Sequence, residues 1–265
     1  MQKLVDAMVT IDSLTVRFGG VMAIHGLSLD IQSGEIFGII GPNGAGKTTL
    51  FNSMSRLNTP AEGSISVSGK NILDLPRHSI VELGIARTFQ NIVLYPTLTV
   101  MENVLLGAHH RVSHGFMAWG LGLRRRRSEE SEIIAEARLV LARLGLEHLA
   151  DRPAKGLPLG TMKRIELARA LMSRPQVLML DEPANGLTLA EVHELGDLLR
   201  ALRTEFELTI LLVEHHMGLV MSLCDRIAVL NFGSLIAVGR PGEIKADARV
   251  IQAYLGGVSD SAARS

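Results

Sequence analysis

A chain of 265 residues is long enough for one large α/β domain or two small ones, and it can bury a core without covalent staples. Its 27 Lys+Arg balance its 27 Asp+Glu, which excludes a global field drawing it to nucleic acid or anionic lipid, and the lone Cys224, read as a small buried apolar residue, excludes an internal disulfide. No apolar run approaches the roughly 18 residues of a spanning helix and the start lacks a basic segment followed by an apolar one, so a cytosolic chain is expected, whose 47% hydrophobic content hints at surface protected by a partner.

Near the start, Leu14, Val16 and Phe18 alternate with polar residues, as do Leu27, Leu29 and Ile31, and later Ile65 and Val67. Period two over short runs predicts antiparallel strands with one solvated face. Between them Ile36 to Ile40 is all apolar apart from Gly38, the pattern of a parallel strand covered on both sides. The stretch GPNGAGKTTL, Gly41 to Leu50, follows it and leads into a helix-like run. From about 91 to 160 strand patterning disappears, and Ile133, Ile134, Ala137, Val140, Leu141 and Leu144 mark one face of a helix. Within that region, residues 111–128 combine a Gly-rich aromatic patch with Arg124-Arg125-Arg126-Arg127, read as an exposed loop and a solvated helix start, with a site for membrane headgroups or a membrane partner as the competing reading.

Ile165, Ala168 and Met172 then mark a helix, Val177 to Leu180 a second buried strand, and Leu189, Val192, Leu195, Leu199 and Leu202 the next helix. Ile210 to Val213 and Ile227 to Leu230 complete the parallel set. The expected fold is α/β: a mixed, mostly parallel sheet core, an antiparallel β subdomain and an inserted helical subdomain. We place one domain at 9–257, its core at about 9–90 and 162–257, its helical subdomain at about 91–161, and a flexible tail at 258–265.

The loop fits G-x-x-x-x-G-K-[ST], with Gly41, Gly46, Lys47 and Thr48 in the fixed places and a strand before and a helix after. Small residues let the backbone from Gly41 through Pro42, Asn43, Gly44, Ala45 and Gly46 to Thr48 and Thr49 turn its N–H groups inward, a cradle for phosphate oxygens at a helix N-terminus. Lys47 would reach the β- and γ-phosphates, and the Thr48 hydroxyl would ligate Mg²⁺. The buried run ending at Leu180 delivers Asp181-Glu182 to the edge where open α/β sheets bind ligands. Asp181 is the expected partner of Mg²⁺ and Glu182 the group that polarises the attacking water.

Taken together, these pieces resemble the ATP-binding cassette (ABC) family of P-loop NTPases over nearly the whole chain. Arg87-Thr88-Phe89-Gln90 is similar to the family's Q-loop, which implies that Gln90 senses Mg²⁺ and the γ-phosphate. Leu212-Val213-Glu214-His215 is similar to its switch segment, which implies a γ-phosphate contact for His215 and a structural part for His216. Phe18, in VRFGG, matches the aromatic that stacks on adenine, with a strand-end core residue as the rival reading.

Two departures stand out. Leu157-Pro158-Leu159-Gly160-Thr161 replaces a signature of the type LSGGQ, keeping Leu157 and Gly160. In the family two subunits sandwich two ATPs between one phosphate loop and the other signature helix, so here that contact would rest on Gly160 and the helix N-terminus, since Pro158 has neither hydroxyl nor N–H. In Ala184-Asn185-Gly186-Leu187-Thr188, Thr188 stands where the family usually has an acidic or Asn residue.

GIARTFQ, the insert after Val104 and the tail from Val250 to Gly256 look most like the ATPases of branched-chain amino-acid importers. The resemblance implies transmembrane permease subunits, a second ATPase subunit (this chain or a paralogue), a periplasmic or surface substrate-binding protein, and a place on the cytoplasmic face of the membrane. ATPases of urea or amide importers, of lipopolysaccharide export, and a weakly hydrolysing nucleotide-binding subunit stay open as alternatives. A soluble ATPase acting on ribosomes or DNA would carry two cassettes or a long coiled-coil insert, and the chain has neither.

Overall fold

The computed structural model describes residues 7–88, 93–111 and 124–254, with 124–130 as backbone only. Gln90, the stretch 112–123 and the tail therefore lie outside the described residues. In chain order the elements are β1 (Ala7–Phe18), β2 (Val21–Gln32), β3 (Ile36–Ile40), α1 (Lys47–Met54), β4 (Glu62–Val67), β5 (Lys70–Asn71), β6 (Ile85–Thr88), α2 (Val100–Leu105), α3 (Arg124–Arg143) and α4 (Leu159–Leu171). They continue as β7 (Val177–Asp181), α5 (Leu189–Glu205), β8 (Thr209–Val213), α6 (Met217–Leu223), β9 (Arg226–Asn231), β10 (Ser234–Gly239) and α7 (Pro241–Ala246).

Two sheets result: an antiparallel one in the order β2-β1-β4-β5, and a six-stranded one in the order β10-β9-β3-β8-β7-β6. In the second, β9, β3, β8, β7 and β6 run parallel and β10 closes one edge antiparallel. All five positions of β3, β7 and β8 are buried because each strand has a covered face on both sides. Phe37, Ile39, Val177, Met179, Leu211 and Val213 face a core shared with α1 and the antiparallel sheet. Ile36, Ile40, Leu178, Leu180, Ile210 and Leu212 face the other, packed by the remaining helices. The period-two positions Leu14, Val16, Leu27, Leu29, Ile31, Ile65 and Val67 are buried, whereas Phe18 is 51% exposed at the end of β1.

Helix α3 starts earlier than its apolar pattern, and it buries Ala137, Val140 and Leu141 while Ile134 stays exposed. Its Glu136 accepts from Arg111 Nη2 at 2.7 Å and Arg174 Nε at 2.9 Å, which ties the helical stretch to the approach to β7. Cys224 is buried against β3; a Cβ on Gly38 would stand 2.9 Å from its Sγ. Burial, then the charges of Asp225 and Glu214, push that thiol up to about 12, so it is inert as a nucleophile.

Candidate nucleotide site

The strand order sets the site. Asp181 is in register with Val213, and Val213 with Ile39, so the C-terminal ends of β7, β8 and β3 lie side by side. The loop after β3, the acids after β7 and the histidines after β8 therefore open on one edge.

The loop itself is held by main chain. Ala45 N–H donates to Pro42 O at 3.2 Å, and Gly233 N–H, from the turn after β9, donates to Ala45 O at 3.1 Å. Gly41 has φ +153°, and a Cβ there would lie 2.1 Å from Leu230 O; Gly46 has φ +101° and would press Ala23 O at 2.7 Å. Only glycine fits either place. Gly46 caps α1 with no side-chain hydrogen bond, so the first-turn N–H groups of that helix stay available to an anion. Asn43, Gly44 and Thr48 are exposed, Pro42 and Thr49 half-buried, and Ala45 is buried.

Lys47 is 9% exposed, and its Nζ donates to Gly41 O at 2.8 Å and Pro42 O at 3.0 Å, which sets the ammonium over the loop. Burial pushes its pKa below the usual lysine value, against the opposing pull of Glu182 and Asp181. Asp181 is buried, and its Oδ2 accepts from Arg87 Nη2 at 2.7 Å. Glu182 has φ +50°, a left-handed conformation that costs a non-glycine residue about 1–3 kcal/mol and concentrates at functional sites. Its N–H is held by Val213 O at 2.9 Å, and its Oε1 lies 3.9 Å from Nδ1 of the exposed His215. His216 caps α6, its Nδ1 accepting from Leu219 N–H at 3.3 Å, which gives it the structural part expected.

Phe18 ends β1 in register with Val21, at the start of the turn through Gly19 and Gly20. Gly160 belongs to the first turn of α4, which begins after Pro158 with no side-chain cap; a Cβ on it would meet Glu191 Oε1 at 2.9 Å. Thr188 caps α5 in a reciprocal box with Glu191, whose Oε2 accepts from Thr188 N–H and Oγ1, both at 2.8 Å. Phosphate loop, Asp181, Glu182 and His215 thus converge on one sheet edge, whereas Gly160 and Thr188 begin the two helices beside Glu182.

The donor set fits a magnesium triphosphate. Among the described residues no three His, Cys, Asp or Glu side chains cluster as metal ligands. Mg²⁺ needs no such cage, since it keeps waters and phosphate oxygens and takes one or two protein oxygens, which the Thr48 hydroxyl and the Asp181 carboxylate would supply.

Comparison with known proteins decides the family. Residues 24–185 match the family model described as ABC transporter. The chain belongs to the ABC transporter family. It is an ATP-binding, ATP-hydrolysing transport subunit. The cassette is 42% identical over 246 residues to the high-affinity branched-chain amino acid transport ATP-binding protein BraF of Pseudomonas aeruginosa, covering 93% of this chain and 96% of that one. To LivG of Escherichia coli K12, of the same description, it is 40% identical over 249 residues, 94% and 98% of the two chains. Among solved structures, the ADP conformation of MJ1267, an ATP-binding cassette of an ABC transporter, superposes with a TM-score of 0.81 at 29% identity, over 94% and 99% of the chains. A second family model, described as branched-chain amino acid ATP-binding cassette transporter, matches residues 234–260.

Three side chains of the cassette's site carry more than the sequence reading assigned them. Glu214, 1% exposed, accepts from Ala184 N–H at 2.7 Å and from His215 N–H at 3.0 Å, joining the loop after Glu182 to the switch. Its signal was an acid directly after an all-apolar strand. Lys163, on the signature helix α4, donates to Pro183 O at 2.7 Å and Glu182 O at 3.4 Å. Arg87, a cation inside the short strand β6, is the third.

Proposed function

We propose that this cassette powers the import of branched-chain or related amino acids. The observation that carries the reading is near-full-length similarity to BraF and LivG, with the phosphate loop, Asp181, Glu182 and His215 gathered at one sheet edge. No residue of an ATPase subunit needs to touch the cargo, so similarity to named importers, rather than site chemistry, supports the cargo class.

In this reading the N–H groups from Gly41 to Thr49 and the Lys47 ammonium bind the phosphates, and Phe18 stacks on adenine. Thr48 and Asp181, with Gln90, would hold Mg²⁺, which when bound neutralises charge on the phosphate oxygens. Glu182 orients and deprotonates the attacking water, and His215 contacts the γ-phosphate. Gly160 and the α4 N-terminus serve the nucleotide of a second ATPase subunit, this chain or a paralogue.

No helix among the described residues is long and apolar enough to cross a membrane. In the proposed system the cassette works against transmembrane permease subunits on the cytoplasmic face, supplied by a substrate-binding protein. Within a single domain, 9–257, the helical subdomain at about 91–161 carries the motion from the core to the permeases through residues after Gln90.

Uptake of isotope-labelled leucine, isoleucine and valine by the source organism tests the proposal. Deleting the gene is expected to lower uptake, with restoration by the wild-type chain and not by Glu182→Gln. Unchanged uptake alongside a defect for urea, an amide or lipopolysaccharide would transfer the cassette to that system.

A further inference from the structure

Arg87 joins three parts of the site. It lies on β6, the edge strand, in register with Met179 of β7, and its side chain is 8% exposed. Nη2 donates to Asp181 Oδ2 at 2.7 Å. Nη1 donates to Asn52 Oδ1 at 2.8 Å and Ser55 Oγ at 3.2 Å, and the guanidinium carbon stands 5.5 Å from the centroid of the Phe51 ring. Asn52 and Phe51 belong to α1, and Ser55 caps its C-terminus. One side chain thus spans from the acid at the end of β7 to the helix that starts in the phosphate loop. Only a planar fork with several donors can do both while lying on a ring; an ammonium cannot.

We propose that Arg87 is a positioning residue for the Asp181 carboxylate: it anchors Asp181 to α1 and, by its charge, sets how strongly nucleotide binding depends on Mg²⁺. The inference rests on the reading of Asp181 as a metal-binding group. Asp181 is 4% exposed, so water screens its charge poorly, and Glu182 adds a second acid beside it. A triphosphate arriving beside those two negative charges, with the Lys47 ammonium opposing them, binds better when a metal comes with it. Arg87 cancels one of those charges and orients its carboxylate through a single oxygen, Oδ2, leaving the second oxygen to serve the metal.

The readout is a ratio: the dissociation constant of adenylyl-imidodiphosphate in EDTA divided by that in excess Mg²⁺, measured by calorimetry on the full chain. Arg87→Met is expected to raise the ratio roughly tenfold, because the metal-free complex is weakened most. Arg87→Gln keeps hydrogen-bonding capacity toward Asn52 and Ser55, and is expected to raise it equally should the Met variant not fold. Arg87→Lys keeps the charge and is expected to stay near the wild-type ratio while melting at a lower temperature. Asp181→Asn separates the two readings, since it is expected to bring the ratio down toward one. A lowered ratio in Asp181→Asn with no rise in either neutral Arg87 variant overturns the Arg87 inference alone. An unchanged ratio in Asp181→Asn overturns the metal-binding reading and this inference with it, and a fall in melting temperature as the sole effect of every Arg87 variant reduces Arg87 to a structural strut.

Discussion

At the scale of single residues, burial and charge oppose each other at Lys47. Burial disfavours its ammonium and nearby Glu182 and Asp181 favour it, with burial prevailing. The cation is therefore lost at a pH below the ordinary lysine value of 10.5, and nucleotide affinity is expected to weaken on the alkaline side before exposed lysines titrate. If Lys47 binds phosphate as proposed, Lys47→Ala is expected to cost about 10–100-fold in affinity by calorimetry, through loss of charge-assisted hydrogen bonds. Glu166 illustrates the opposite sign. It is buried on α4, accepts from Val93 N–H at 2.8 Å, and has Arg169 Nη2 at 3.6 Å. Burial raises its carboxyl above 4.5, against the Val93 hydrogen bond and the charges of Arg169 and Lys163. Between 4.5 and the raised value the folded chain holds more protons than the unfolded one, so stability falls as pH rises through that window. Glu166→Gln keeps an acceptor for Val93 without the charge. Its melting temperature is expected to gain on wild type with rising pH across that window and to run parallel above it; a constant difference in melting scans at several pH values would exclude a burial cost on the carboxylate.

At the scale of elements, legibility followed burial. β3, β7, β8 and β9 were readable because strands covered on both faces leave short apolar runs. β6 was not read as a strand: its four residues include Arg87, whose charge is accommodated by Asp181, a partner distant in sequence. β10 was not read either, although Leu235 to Val238 is an apolar run: it is an antiparallel edge strand of mixed burial, without the alternation that marks one solvated face. α3 begins within the Arg- and Glu-rich stretch that was read as a solvated helix start, ahead of its apolar face. Helix starts differ in a way local chemistry explains. Thr188 departs from the family pattern, yet its hydroxyl caps α5 with Glu191. Thr188→Ala is expected to cost about 0.5–2 kcal/mol, visible as a lower denaturant midpoint with an unchanged slope, whereas Thr188→Asp keeps a capping oxygen and most of the stability. Equal midpoints for Ala and wild type would show that Glu191 alone sustains the helix start.

At the scale of the molecule, the proposed sandwich would have the phosphate loop and the α4 N-terminus serve different nucleotides. Lys163 fastens α4 to the Glu182 and Pro183 carbonyls of its own chain, which ties the loop after β7 to the helix start that the proposal places against a second subunit. At that start two leucines stand exposed among polar neighbours: Leu159 is 37% exposed and Leu189 70% exposed, at the first positions of α4 and α5. Exposed leucines beside an uncapped helix N-terminus suit a surface covered when two cassettes close over ATP. Glu182→Gln removes the proposed base at nearly constant volume and leaves the loop, Lys47 and Asp181 unchanged in sequence. Hydrolysis is expected to fall by about 100-fold or more, and with Mg-ATP the chain should elute at the dimer position on size exclusion. Adding Leu159→Glu places a charge in that surface and is expected to return the protein to monomer while nucleotide affinity of the separate chain holds. A Glu182→Gln chain that binds ATP, hydrolyses none and still elutes as a monomer would separate nucleotide binding from closure. The head-to-tail sandwich would then have to be supplied by a paralogue.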